Sequence, residues 1–233
     1  MNLQALISTF RQLAGDRAFP PLFSDEQVTE WLNEAEREAA ERAKLLHERT
    51  RTEIVRVPLV VGQREYELNS VFIDTDGDTM YVQRNTDTDR TRAVCRQTQA
   101  DIEWVIANRA NLTGWPDGFF IYSDGQGATA RRLVLDRKPA EGGGYFWLSG
   151  YRYPLEPMVA PDDEPEIHQR HHMHLLDWAL FRAFNTRDLE GSSEARSAKH
   201  LGMFTDHFGG KSDANVQRKR YRHRASVVRP IGF

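Results

Sequence analysis

Residues 23–46, FSDEQVTEWLNEAEREAAERAKLL, restrict the possible folds more than any other stretch of the chain. They specify a helix at its start, along one face and by its length. Ser24 stands as N-cap with Gln27 three residues on, the two members of a capping box, and Asp25 and Glu26 place negative charge in the first turn. Phe23 and Val28 occupy the positions of a hydrophobic staple. Val28, Trp31, Leu32, Ala35, Ala39, Ala43 and Leu46 then recur at helical spacing, with alanines in the middle where a second helix can approach closely. The other face carries Glu30, Glu34, Arg37, Glu38, Glu41 and Lys44, with Glu38 and Arg42 in the favourable i,i+4 order. A helix over the whole stretch would run ~36 Å. An apolar stripe of that length needs partners from elsewhere in the chain.

The rest of the sequence supplies them at both ends. Leu3, Leu6, Ile7, Phe10, Leu13 and Ala14 predict a first short helix closed by Gly15 and Asp16, and Pro20 and Pro21 bar helix before the long one begins. Near the other end, from about Glu166 to Asn185, Met173, Leu176, Ala179, Leu180, Ala183 and Phe184 make an apolar stripe that Leu175, Trp178 and Phe181 widen, which predicts a helix buried on most sides. After a turn at 185–191, a further helix starts at Ser192 or Ser193 and runs through Ala195, Ala198, Leu201, Phe204 and Phe208. Between the two helix pairs the period falls to two. Residues 54–61 and Tyr66 with Leu68 read as a hairpin turning at Gly62–Gln63. Strands are expected at 80–82, 119–122, 132–136 and 145–153, and a short helix capped by Thr98 between them. The antiparallel sheet predicted is of four to six strands. The acidic, proline-rich segment 154–165 carries no pattern of its own.

The fold class expected is therefore α+β. A bundle of about four helices is formed by residues 1–50 and 165–210, a β-rich domain at 51–164 is inserted in it, and an extended basic arm occupies 211–233. The single cysteine, Cys95, excludes an internal disulfide and a multi-cysteine zinc site. No apolar run approaches the ~20 residues of a membrane span, and the N-terminus reads as an amphipathic helix rather than a signal peptide, so a soluble, unexported chain without membrane contact is expected. The net charge of -3 conceals an asymmetry: seven lysines and arginines against Asp213 alone give the last 23 residues +6, leaving -9 on the first 210. A basic tail on an acidic body points to an acidic partner, nucleic acid or protein.

Catalytic signatures are missing. The sequence contains no GxSxG, P-loop, GxGxxG or HExxH, and no enzyme or cofactor is expected. The run DTDGD resembles the opening of a calcium loop, but its Gly77 is misplaced and Asn85 stands where the loop needs its last carboxylate. His168, His171, His172 and His174 have spacings that can place two imidazoles on one helix face, without the acidic partners a metal site would need beside them, so no metal site is assigned. In the tail, Arg218, Lys219, Arg220, Arg222, Arg224 and Arg229 could neutralise phosphates while Tyr221 stacks a base. Val227, Val228, Ile231 and Phe233 make its end apolar as well as basic, which favours a protein groove over bare phosphate.

Several phrases in their order resemble a family, the head-to-tail connector or adaptor proteins of tailed bacteriophages, including the tail tubular type. They are the opening helix, FSDEQVTEWLNEAEREAAERAKLL, VGQREYEL, GWPDGFFIY, LVLDRKP with YFWLSGYRYPLEPM, and EIHQRHHMHLLDWALFRAFNTRDLEG. The resemblance covers nearly the whole chain. It implies a non-enzymatic virion protein of the neck between head and tail, assembled in the host cytoplasm. It implies a homo-oligomeric ring, commonly of twelve subunits, that docks on the portal protein, extends the DNA channel and receives a tail or nozzle protein. DNA would pass without sequence-specific binding, and the alternative is a nucleic-acid-binding module acting through the tail. On this reading residues 218–233 form the portal-docking arm. Glu30, Glu34, Arg37, Glu41 and Lys44 on the long helix are candidates for a subunit interface or the channel lumen.

Overall fold

A computed structural model describes residues 1–84, 91–123, 131–186 and 192–211. The fold is α+β, with helices α1 (Leu3–Ala14), α2 (Asp25–Ala43), α3 (Thr52–Val55), α4 (Gln99–Asn108), α5 (His172–Asn185) and α6 (Ser192–Phe208). Ten strands accompany them: β1 (His47–Glu48), β2 (Arg56–Pro58), β3 (Glu65–Glu67), β4 (Phe72–Thr75), β5 (Thr79–Gln83), β6 (Thr91–Arg96), β7 (Gly118–Ser123), β8 (Arg131–Leu135), β9 (Tyr145–Trp147) and β10 (Gly150–Arg152). The chain divides into two compact units, one comprising Met1–Arg51, Val71–Asp76 and Ser149–Gly210, the other holding Thr52–Ser70 and Gly77–Leu148.

In the first unit α1, α2, α5 and α6 share one core. Leu6, Phe10, Leu32, Leu175, Leu180 and Phe204 lie at its centre, all at most 1% exposed. Each such side chain contributes about 1.5–3 kcal/mol by leaving water. The capping box of Ser24 and Gln27 forms as the sequence predicts, and Phe23 is buried against Trp31 and Phe10. Ala35, Ala39 and Ala40 of α2 are fully buried, and α2 packs on α5. The helix is one turn shorter than its sequence suggests. Lys44 turns left-handed at φ 51° and ends it, because His47 and Glu48 are drawn into a strand beside β10. That three-stranded sheet, in order β1-β10-β4, joins the helices in this unit. Gly150 lets β10 lie close on β4, since a Cβ there would overlap the Asp74 carbonyl oxygen.

The second unit is built on a seven-stranded sheet, β2-β9-β5-β6-β7-β8-β3. The expected hairpin at 54–68 does not form. Ile54 and Val55 lie in α3, β2 pairs with β9, and β3 pairs with β8. The sheet is also larger than predicted and not wholly antiparallel, since β6 and β7 run parallel with α4 crossing between them. Residues 59–64 join β2 to β3, the two outermost of the seven strands. Seven flat strands would set those edges ~29 Å apart, beyond the ~25 Å this connection spans when stretched. The sheet therefore curls until its edges approach. Tyr66 pins the connection from inside, its hydroxyl accepting from the Val60 amide at 3.1 Å and lying 2.9 Å from the Gln63 carbonyl. Met80, Val82, Val94, Phe119, Leu133 and Phe146 fill the concave side.

Candidate assembly surfaces

The polar face of α2 is more engaged than a solvated face would be. Glu34 pairs with Arg182 of α5 at 3.4 Å, and Arg37 lies 5.1 Å from the centre of the Tyr153 ring. Lys44 reaches Asp74 at 3.7 Å and covers the Tyr151 ring. Glu41 is half-buried and Glu30 is exposed. The Glu38–Arg42 pair forms at 2.9 Å, and the Arg42 guanidinium lies over the adjoining rings of Trp178 and Phe204, 5.2 Å from each. Of the five residues singled out from sequence, Glu30, Glu34, Arg37 and Glu41 thus share α2 and Lys44 stands at its C-cap, and three of the five hold partners within the chain.

A carboxylate that the sequence reading passed over lies on the opposite face. Glu36 is 2% exposed, and its Oε1 accepts from the amides of Glu166, at 2.5 Å, and Ile167, at 3.2 Å. Burial pushes its carboxyl up to about 7, against the lowering effect of those two amides. Its position could have been seen, because 36 follows Leu32 by four and adjoins Ala35 on the buried stripe. Nearby in the chain, Glu166 joins a second network. Arg152, 7% exposed, holds Glu166 through both terminal nitrogens, one at 2.9 Å, and donates from Nε to Glu48 at 3.1 Å. The other oxygen of Glu48 accepts from the amides of Arg49, Thr50 and Arg51 and the Thr50 hydroxyl, each at 3.0 Å. Burial raises the Glu48 carboxyl, yet these donors and Arg152 outweigh it and leave it at about 2. Glu36 and Arg152 thereby fasten the segment before α5 to α2 and to the strand end of the same unit.

The histidines bond to one another and to their surroundings. His172 donates from Nε2 to the Ile167 carbonyl at 2.9 Å and accepts at Nδ1 from the N-terminal amine at 2.8 Å. His171 lies 2.9 Å from His207 of α6, and His174 stacks on that ring. Asp177 holds His200 at 2.9 Å. His168 caps the turn before α5, accepting from the Arg170 amide. Burial, then the positive charge of Arg170, pushes His171 below the ordinary imidazole range; burial and then His174 do the same to His207. Among the described residues no three His, Cys, Asp or Glu side chains come together as a metal-holding group. The same residues include no helix long and apolar enough to cross a membrane.

The proposed docking-arm residues, Arg218, Lys219, Arg220, Tyr221, Arg222, Arg224, Val227, Val228, Arg229, Ile231 and Phe233, lie outside the described residues. The described chain carries the arm's root, where α6 ends at Phe208 and Gly209 takes φ 88°. No curated protein matches the chain. The family comparison does find a match, with the SU10 adaptor protein family, over residues 1–230. That span takes in both units as well as most of the arm, so the chain belongs to the SU10 adaptor protein family, a family of phage head-to-tail adaptors.

Proposed function

We propose that the protein forms a ring, of about twelve subunits as the family resemblance implies, between the portal and the tail of a phage particle. The observation that carries this reading is the match to an adaptor family over nearly the whole chain. Membership gives the coarse role, a structural component of the virion that meets portal and tail proteins, and suggests no enzymatic activity. The ring extends the DNA channel below the portal and offers the platform on which the tail or nozzle protein assembles. A helical bundle of residues 1–50 and 165–210 carries an inserted β-rich domain, 51–164, and the arm 211–233 leaves it. Residues 218–233 dock on the portal, with their apolar end in a protein groove and their cations on its acidic rim. Glu30, Glu34, Arg37, Glu41 and Lys44 lie at a subunit contact or along the lumen. The exposure of Glu30 and Arg37 supports this by leaving those charges on the surface of the helix.

The test is removal of residues 218–233. The truncated chain is expected to keep its circular dichroism and its own association state, while co-sedimentation with purified portal rings is lost. Undiminished attachment would overturn the docking role of the arm.

A further inference from the structure

Two surface patches at opposite ends of α1 display apolar side chains. At the C-terminal end, Phe19 is 99% exposed, Leu22 63% and Leu13 55%. Three large apolar side chains displayed together mark an interaction site rather than an ordinary surface. The loop that carries them is firmly held. Asp16, 8% exposed, accepts from the amides of Leu22 at 2.8 Å and Phe23 at 3.3 Å, and from Arg11 at 2.9 Å. Arg11 also reaches the Phe23 carbonyl at 3.1 Å and Asp25 at 2.5 Å. Pro20 and Pro21 restrict the backbone on the far side of Phe19. Ordering this loop on binding costs little, which suits an anchor residue entering a partner's pocket. Arg11 is taken up by Asp16 and Asp25, so the cation left in view beside Phe19 is Arg17, exposed two residues before it, while Glu26 is exposed at the start of α2.

The other end of α1 meets the loop at 156–164. Leu3 donates to the Asp163 carbonyl at 2.7 Å and Gln4 to the Pro161 carbonyl at 3.0 Å. Val159 is 77% exposed there, beside exposed Glu156, Pro161, Asp162 and Glu164. This loop is held as well: the Asp163 carboxylate accepts from the amides of Val159 and Ala160, each at 2.7 Å. Glu164 lies 3.5 Å from the N-terminal amine, leaving Glu156 and Asp162 as its most available charges. Leu3 and Leu13 are ten residues apart, so the two patches are separated by about 15 Å along α1.

We infer that the Phe19 loop of one copy docks on the Val159 loop of the next copy, with Arg17 facing Glu156 and Asp162. The occupant is a second copy because the chain itself carries a complementary surface, with Glu156 and Asp162 beside exposed Val159 where the first sets Arg17 beside exposed Phe19. A two-fold dimer through the Phe19 patch would leave exposed Val159 and its carboxylates uncovered. Patches that differ and lie apart instead generate a head-to-tail series, which closes into a ring when the rotation permits. The inference rests on the ring reading given above and names the contact that builds it.

The test uses the full chain and native mass spectrometry with analytical ultracentrifugation. Phe19→Asp, Arg17→Glu, and the pair Glu156→Arg with Asp162→Arg are each expected to raise the concentration needed for self-association at least tenfold. Circular dichroism and melting temperature should stay at the wild-type values, because all of these residues are exposed. The decisive arm mixes the two charge-reversed chains in equal amounts. The Glu-bearing patch of one chain then meets the Arg-bearing loop of the other, each native patch meets a native loop, and assembly returns. Normal rings from the Phe19→Asp chain, or no recovery on mixing, would sink the contact and leave the adaptor reading standing. A wild-type chain that remains monomeric even on portal rings removes both. Loss of portal or tail-protein binding with self-association intact would assign the patch to another partner and overturn the inference.

Discussion

Glu36 shows how a single side chain can couple this fold to pH. Its carboxyl titrates near 7 in the folded chain, against 4.5 for an ordinary glutamate. Between those values the folded state holds a proton that the unfolded state has lost. The stabilising contribution is therefore complete below pH 4.5 and disappears as the pH rises through 7, at a cost on the order of 3 kcal/mol above it. Glu48 works in the opposite sense. Held at about 2, it stabilises the fold at neutral pH, and that contribution is lost as the pH falls from 4.5 towards 2. The two carboxylates bracket a stability maximum in mildly acidic solution. Glu36→Gln retains an oxygen for the amides of Glu166 and Ile167 and removes the titration. Urea unfolding of this variant should give nearly the same stability at about pH 6 and pH 8, with a gain of about 1–3 kcal/mol over the wild type at the higher pH. An unchanged slope between those pH values would mean that Glu36 is charged in the folded chain.

At the level of elements, the start of α2 is the feature most directly written in the sequence. Ser24→Ala removes the oxygen 3.2 Å from the Gln27 amide and is expected to lower stability by about 1 kcal/mol. The measurement is the urea midpoint at constant slope, and a shift within error would show that Phe23 burial alone holds the helix start. Caps and stripes of this kind are local, and they let the helices be read closely: α1 closes at Gly15, α4 opens at Thr98, and α5 is apolar nearly all round. What escaped the sequence was decided at a distance. Nothing near Lys44 announces that β10 will capture His47 and Glu48 and end the helix early. Ile54 and Val55 are β-branched and suit a strand, yet they occupy a single helical turn because their neighbours pair with β9. The Gly62 turn looked like a hairpin because local alternation cannot distinguish strands that pair with each other from strands at two edges of a curled sheet. The assembly surfaces divide in the same way. The α2 residues could be chosen by periodicity, whereas Phe19 and Val159 are single apolar residues among prolines, and only the burial pattern shows that they are displayed.

For the whole molecule the governing quantity is the separation of charge, -9 on the first 210 residues and +6 on the last 23. In the proposed ring, a lumen lined by so acidic a body would repel the phosphate backbone and let duplex DNA move through without being held. The arm alone carries enough cations to bind DNA, so the same chain could be mistaken for a nucleic-acid-binding protein. Salt titration distinguishes the cases. If the arm neutralises phosphates, the full chain binds duplex with a slope of log affinity against log salt of up to about -6, roughly 0.9 for each phosphate neutralised. Removing residues 211–233 should then abolish binding even at ~50 mM salt, since the remaining charge is unfavourable. If the arm's task is to dock in a protein groove, its DNA affinity should be weak and largely gone by ~150 mM salt, while portal binding persists there through Val227, Val228, Ile231 and Phe233. Tight duplex binding by the chain lacking the arm would contradict both, because it would require a basic surface on an acidic body. It would also remove the physical argument for a DNA-conducting lumen in the proposed ring.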